Sequence, residues 1–216
     1  MAVIHHTTVQ PTKLELLTTW LPTRPWYQGG EARPGLAKSG GFRLDDPQGE
    51  VGIEFMVTTD TSGPAPVTYF VPLTYRGAPL EGAEAALVGT MEHGVLGRRW
   101  VYDGCQDPVL AEQLFALVEG RAQAQAQSTS DAPDPTITRS CTAPSLPSGT
   151  FTATVTDDHE GTDIAAAGAT LHLNRVLHPA GEGDPLPEGA TGHVAGPWRT
   201  SDDAEVRGAF AVLRTA

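Results

Sequence analysis

Alternation of apolar and polar residues predicts β-strands in the first half of the chain. The clearest stretch is VGIEFMVTTD, residues 51–60, in which every second residue from the valine onward is large and apolar for four repeats of the pattern. A period of two is typical of a strand in a sheet with one buried face. Residues 40–44, 67–75 and 98–103 predict further strands. Pro72 has no amide hydrogen, so we expect its strand to lie at a sheet edge or to be interrupted there.

Two helices are predicted from the residues that begin them. Thr12 and Glu15 have the Thr-x-x-Glu spacing of a capping box, and leucines follow at helical spacing. Asp107 and Pro108 form an N-cap acceptor followed by a first-turn proline, whose missing donor is not needed at that position. Apolar residues then repeat at helical spacing to about residue 121.

The second half of the chain changes composition twice. Residues 123–149 are rich in Ala, Gln, Ser, Asp and Pro, and such a segment buries too little apolar area to offset its ordering entropy, so we predict a linker. Residues 150–216 return to short strand-like segments separated by Gly-rich and Asp-rich turns. The pattern leaves open whether these strands form a separate domain or complete the first sheet.

The charge of the chain argues against two classes of partner. Twenty-six acidic residues oppose fourteen basic ones, which gives a formal net charge of −12, and only Lys13 and Lys38 are lysines. A chain of this charge without a local basic cluster repels phosphate backbones and anionic bilayers. We therefore expect neither nucleic acid nor a membrane among its partners.

Cellular location and redox state are predicted from the same sequence. No apolar run approaches the ~20 residues that a membrane-spanning helix requires, and the first residues have no pattern of a secretory signal. We therefore expect a cytoplasmic protein whose two cysteines, Cys105 and Cys141, stay reduced. No Cys/His spacing resembles a zinc site.

Three segments, in this order, resemble the N-terminal cap domain of bacterial maltokinases. They are LLTTWLPTRPWYQGG at 16–30, VTYFVPLTY at 67–75 and LGRRWVYDGCQDPVLAEQLFALV at 96–118, and the resemblance covers residues 12–122. It implies an α+β domain over residues 1–122, in which a curved, cystatin-like antiparallel sheet packs with two helices. The predicted linker and the β-rich C-terminal part would follow this domain.

The resemblance does not extend to the enzyme that such a cap serves. In maltokinases the cap precedes a two-lobed kinase body that phosphorylates maltose with a nucleoside triphosphate, in the trehalose-to-glycogen pathway. After residue 122 this chain has no His-Gly-Asp catalytic loop, no Asp-based magnesium motif and no lysine that could hold phosphates. We therefore expect a stand-alone, non-catalytic cap-like protein of maltose, trehalose or α-glucan metabolism, without a cofactor.

The stretch from residue 92 to 115 is dense in aromatic and charged side chains. It has a superficial similarity to a kinase His-Arg-Asp loop, but it lacks the downstream Asn and leads directly into a capped helix, so we expect no catalytic residue in it. We expect mainly a structural role, a strand-to-helix junction in which the tryptophan and the tyrosine fill a core and Asp103 serves as a turn or helix-entry acceptor. The alternative is a contact surface for a protein partner or another ligand. The candidate residues are Trp26, Tyr27, His93, Arg98, Arg99, Trp100, Tyr102 and Asp103.

Two alternatives stay open. An oligosaccharide is an alternative ligand because Trp26, Tyr27 or Trp100 could stack on a sugar ring, although the same aromatic residues could serve only to pin the first helix to the sheet. The second alternative is an enzyme whose site lies in the acidic C-terminal part. Its candidate residues are Asp157, Asp158, His159 and Asp163. Because DDHEGTD, residues 157–163, lacks the spacing of a calcium loop, we expect a solvated turn there and no metal.

Overall fold

The structure, a computed structural model, describes residues 9–127, 132–143, 152–181 and 187–215. Over these ranges the chain has two α-helices and thirteen strands in two antiparallel sheets. The helices are α1 (Lys13–Trp20) and α2 (Pro108–Glu119). The strands of the first sheet are β1 (Val9–Gln10), β2 (Leu36–Leu44), β3 (Gly52–Asp60), β4 (Val67–Arg76), β5 (Leu87–His93), β6 (Gly97–Asp103) and β7 (Gln125–Ala126). Those of the second are β8 (Thr138–Cys141), β9 (Thr154–Asp157), β10 (Thr162–Ala166), β11 (Ala169–Leu173), β12 (Ala190–Arg199) and β13 (Glu205–Thr215).

The fold class is confirmed. The first sheet has the order β1-β5-β6-β4-β3-β2-β7 and is strongly curled into a half-barrel, and the second has the order β8-β12-β13-β11-β10-β9. The predicted α+β class, with a curved antiparallel sheet, two helices and a β-rich C-terminal part, therefore holds.

Both helices begin at the predicted caps. The Glu15 carboxylate accepts from the Thr12 amide at 2.7 Å, while the Thr12 hydroxyl accepts from the Glu15 amide at 3.3 Å. The Asp107 carboxylate accepts from the amide of Val109 at 3.0 Å and caps α2. That helix ends at Gly120, whose φ of +84° is the left-handed conformation that glycine adopts at little cost.

The first sheet is covered on both faces. Helix α1 and the loop after it pack Leu17, Leu21 and Trp26 on one face, and α2 and the second sheet pack on the other. Strand β3 is consequently buried along nearly its whole length, so the predicted sheet with one buried face is wrong for this strand. In the sequence Glu54 suggests a second face exposed to solvent, but the residue is only 5% exposed and its carboxylate is held by hydrogen bonds.

Stacked phenylalanines join the two sheets. Phe42 and Phe55 of the first sheet stack with ring centroids 4.4 Å apart, and Phe70 stacks on Phe210 of the second sheet at 4.6 Å. Phe42 also lies 6.0 Å from Phe210. All four rings are fully buried, so both halves of the chain contribute to one hydrophobic core.

Pro72 marks a change of partner in the middle of the first sheet. Strand β4 lies between β3 and β6, but β6 pairs with it only from Leu73 onward. Before the proline, the Phe70 amide donates to the carbonyl of Arg175 at 2.9 Å, and the Leu177 amide donates to the carbonyl of Thr68 at 2.8 Å. Strand β4 itself runs through Pro72 without a break and lies inside the sheet, so the prediction of an edge strand or an interrupted strand is wrong. What stops at the proline is the pairing with β6, and a segment of the C-terminal part occupies the place that β6 leaves.

The predicted linker contains two short strands within its described residues. Strand β7 pairs with β2 of the first sheet, and β8 pairs with β12 of the second. The segment therefore contributes a strand to each sheet, which its polar composition does not indicate. Residues 128–131 and 144–149 of the predicted linker lie outside the described residues.

Candidate contact surface on the hairpin of β5 and β6

Strands β5 and β6 form a hairpin whose turn carries apolar side chains outward. Val95 is 61% exposed and Leu96 is 46% exposed, and with Leu87 at 37% they are the exposed large hydrophobic residues among those the structure describes. All three belong to this one hairpin or its turn. Isolated exposed apolar residues are normal, but their concentration in one element is typical of a contact surface.

The turn holds the two apolar residues in a fixed backbone arrangement. The Nδ1 atom of His93 accepts from the amides of Val95 at 3.3 Å and Leu96 at 3.1 Å. Gly97 follows with a φ of +68°, a backbone conformation that residues with a side chain rarely adopt. The glycine thereby lets the chain reverse and begin β6. The histidine therefore acts here as an acceptor that organises the turn.

The flank of the hairpin carries cationic and aromatic side chains. Arg98 lies opposite Glu92 in the strand register, with a 4.0 Å separation between their charged groups. Its guanidinium also lies 5.6 Å from the ring centre of Trp100, which is half-buried, as is Arg99. Of the predicted contact residues, the structure thus places His93, Arg98, Arg99 and Trp100 along one hairpin.

Of the other predicted contact residues, Tyr102 and Asp103 lie at the end of β6 and Trp26 and Tyr27 lie in the loop after α1, and three of the four are buried. Trp26 is 0% exposed, Tyr102 and Asp103 are each 2% exposed, and so none of the three lies on a contact surface. Tyr27 is half-buried and stacks on Tyr69 with ring centroids 5.6 Å apart. Trp26 and Tyr102 therefore have the structural role and not the alternative contact role, a choice that strand alternation leaves open because it does not show which face α1 and the C-terminal part cover.

Asp103 is one half of a buried ion pair. Its two carboxylate oxygens accept from Nη2 of Arg175 at 2.8 and 2.6 Å, across 72 residues of sequence. Nε of the same guanidinium donates to the hydroxyl of Thr162 at 2.6 Å, and the guanidinium lies 4.9 Å from the ring centre of Trp26. Burial would lower the pKa of Arg175, but the Asp103 carboxylate outweighs it and raises that pKa. The pair therefore links the hairpin to the C-terminal part.

A second ion pair holds the start of α2. Nε and Nη2 of Arg76 donate to the two carboxylate oxygens of Asp107, each at 2.7 Å, and Asp107 is fully buried. The hydrogen bonds that Arg76 donates to the Asp107 carboxylate are the main cause of the raised pKa of Arg76. Because the same carboxylate caps α2, Asp107 combines a helix-capping role with an ion-pairing role.

A third polar cluster surrounds Glu54. Its carboxylate accepts from Lys13 at 2.5 Å, from the hydroxyl of Tyr75 at 2.6 Å and from the side-chain amide of Gln127 at 2.7 Å. Burial would raise the pKa of Glu54, but the charge of Lys13 and these hydrogen bonds together lower it. The carboxylate is saturated by these donors, so the arrangement favours a structural role over proton transfer.

The acidic turn proposed as an enzyme site holds its side chains in separate local contacts. The Asp158 carboxylate accepts from the amides of Glu160 and Gly161 at 2.8 and 3.0 Å, and Asp163 lies 2.7 Å from His172. Asp157 accepts from the hydroxyl of Thr162. Across the described ranges, no three His, Cys, Asp or Glu side chains are grouped as metal ligands would be.

Comparison with known families addresses the first half of the chain. Residues 20–107 match the family model of the maltokinase N-terminal cap domain. The predicted resemblance is confirmed. The matched residues include the whole hairpin and end at Asp107, while α2 and the second sheet lie outside them. No curated protein matches the chain.

The cap-like region and the rest of the chain meet at Asp103 and Arg175, and sequence reasoning missed the arginine. Nothing local in LNRVLH distinguishes a buried arginine from a surface one. Sequence reasoning also missed Val95 and Leu96, for which a signal existed. Turns are usually polar, so two large apolar residues between Gly94 and Gly97 indicate side chains that the turn presents outward.

The remaining observations bear on location and redox state. Among the helices of the described residues, none combines the length and the apolar character that a bilayer crossing needs. Cys105 is buried, Cys141 is half-buried, and both are free thiols.

Proposed function

We propose that this chain is a non-catalytic cap-like module of maltose, trehalose or α-glucan metabolism that binds a partner protein through the hairpin of β5 and β6. The observation that carries the proposal is the pair of neighbouring, exposed large apolar side chains, Val95 and Leu96, in the turn of this hairpin, with Leu87 exposed at its base. The match of residues 20–107 to a maltokinase cap supports the metabolic association.

The hairpin suits a protein interface in its composition. An apolar centre at Val95 and Leu96 is bordered by Arg98 and the half-buried Trp100, and arginine and tryptophan are enriched at energetically important interface positions. Covering the exposed parts of Val95 and Leu96 would contribute about 2 kcal/mol in total, or roughly thirtyfold in affinity.

The proposal is tested by site-specific crosslinking in the source organism. A photoreactive phenylalanine derivative placed at Val95 should crosslink one discrete partner, whereas the same residue at Asp202, an exposed turn position, should not. The partner is then purified, and its affinity for the double variant Val95→Ser/Leu96→Ser should fall by roughly thirtyfold. Equal crosslinking from both positions, or an unchanged affinity of the double variant, would refute the proposal.

A second candidate function is binding of an oligosaccharide beside Trp100. The observation that favours it is that Trp100 is half-exposed and is bordered by a guanidinium, which can donate to sugar hydroxyls. The burial of Trp26 and the stacking of Tyr27 on Tyr69 leave Trp100 as the aromatic residue for this role among the three proposed. Titration calorimetry with maltose, trehalose and glycogen fragments tests it, and Trp100→Ala should abolish any heat that is observed.

A further inference from the structure

A groove lies beside the hairpin, between the end of α1 and the start of β5. Its volume is about 370 Å³, within the usual size range for ligand pockets. Leu87 and Val88 line one side, and Trp20 and Arg24 line the other. Leu87 is the third exposed apolar residue of the hairpin and lies at its base, opposite Tyr102, so the groove is at the other end of the hairpin from Val95 and Leu96.

The strand that borders the groove has a strand on its outer side at only two residues, and it has a register shift between Leu87 and Gly89. In the order of the first sheet, the outer neighbour of β5 is β1, which pairs only with Glu92 and His93. Among the described residues, the part of β5 over residues 87–91 has no strand on that side. Proteins usually protect such an edge, because its unpaired amides and carbonyls can accept a further strand.

The groove has a positive charge in an otherwise acidic protein. Arg24 is the charged residue among those that line it, whereas the whole chain has a net charge of −12. The guanidinium is held 4.9 Å from the ring centre of Trp20, and its Nε and Nη2 atoms donate to the Thr23 hydroxyl at 3.1 and 3.0 Å. Nη1 has no hydrogen-bond partner in the described part of the chain, so it is available to a carboxylate.

We propose that an extended, acidic segment of a partner protein adds as a strand to β5, places an apolar side chain against Leu87 and Val88, and pairs a carboxylate with Arg24. The charge at the groove selects an acidic segment over a basic one, and the open edge selects an extended segment over a helix. This inference rests on the proposed function, since it specifies which part of a partner the hairpin region binds.

The test selects peptide ligands directly on the folded protein. A phage-displayed library of random dodecapeptides is selected on the immobilised full chain, and the consensus peptide is synthesised. We expect the consensus to combine Asp or Glu with alternating apolar residues. Amide chemical-shift changes on adding that peptide should be largest over residues 19–24 and 85–91.

Variants then test each contact. Arg24→Glu should raise the Kd of the acidic peptide at least tenfold, and a peptide with Lys in place of its acidic residue should recover binding to that variant. Arg33→Glu is the matched control, because Arg33 is exposed but does not line the groove, and it should change Kd less than twofold. Circular dichroism confirms that both variants are folded.

Several outcomes would overturn the inference. They are a neutral or basic consensus, selection without any consensus, shift changes that lie elsewhere, and an equal response of the two arginine variants. Self-association of the chain that Leu87→Asp abolishes would assign the edge to a second copy instead. The peptide measurements are independent of the crosslinked partner. If the peptide measurements fail while Val95→Ser/Leu96→Ser still lowers the affinity for the crosslinked partner, only this inference is wrong. If the peptide binds as expected while the double variant keeps its full affinity for the partner, the proposed function of the hairpin turn is wrong.

Discussion

The ion pair of Asp103 and Arg175 gives the sharpest prediction for stability. Asp103→Asn keeps the shape of the side chain but removes its charge, so the fully buried guanidinium of Arg175 loses its counterion. In this variant the guanidinium of Arg175 keeps a neutral amide oxygen at residue 103 as an acceptor, and it keeps its hydrogen bond to the Thr162 hydroxyl. Removing one partner of a buried pair costs about 3–5 kcal/mol, and for a chain of this size that cost lowers Tm by roughly 10 °C.

Urea unfolding monitored by tryptophan fluorescence measures this cost, since Trp26 lies against Arg175 and reports on its surroundings. Asp163→Asn is the matched control, because the Asp163 side chain is 45% exposed and its pair with His172 should contribute under about 1 kcal/mol. The double variant Asp103→Leu/Arg175→Met should be less destabilised than Asp103→Asn, since it leaves no unpaired charge. A cost of Asp103→Asn within about 1 kcal/mol of the control would refute the reasoning.

Three further predictions concern the other buried groups. Because the pKa of Glu54 is lowered from its ordinary value of 4.5, its ionised form stabilises the fold above pH 4.5, and this contribution is lost as the pH falls below that value. Urea midpoints at pH 7 and pH 4 should therefore differ more for the wild type than for Glu54→Gln, and an equal difference would contradict the assignment. Asp107→Ala removes the cap of α2 and unpairs Arg76, so thermal unfolding should show a larger loss than Asp107→Asn, which keeps a capping oxygen. Burial raises the pKa of the Cys105 thiol, so a thiol reagent at pH 8 should modify Cys141 first; modification of both at one rate would be evidence against this.

The features that the sequence predicted depend on residues close together in the chain. The capping box of α1 spans Thr12 to Glu15, and the cap of α2 needs only Asp107 and its two successors, so neighbours in the sequence suffice to identify both. The missing donor of Pro72 is also a local property, but the prediction made from it was wrong, because β4 continues through the proline and only its pairing with β6 stops there. Local chemistry therefore predicted where the two helices begin.

The features that the sequence did not predict depend on contacts between segments that are far apart in the chain. Asp103 resembles a turn residue until Arg175 is placed beside it, and no spacing rule connects positions 72 residues apart. Glu54 resembles a solvent-facing strand position until Lys13 and Tyr75 are placed around it. The hairpin can be recognised in the sequence by its high density of charged and aromatic side chains. Its apolar turn, on which the functional proposal rests, is not marked by charged or aromatic residues, and only the two large apolar residues between Gly94 and Gly97 indicate it.

The stacked phenylalanines constrain how a gene for this chain could be cut or recombined. Phe42 and Phe70 of the first sheet are covered by Phe210, which lies near the far end of the sequence. A fragment that stops before the second sheet would expose these rings to water, and we expect it to aggregate instead of folding as an independent cap. The boundary that composition suggests near residue 123 is therefore a poor place for a crossover or an expression truncation, and the two halves are expected to be inherited together.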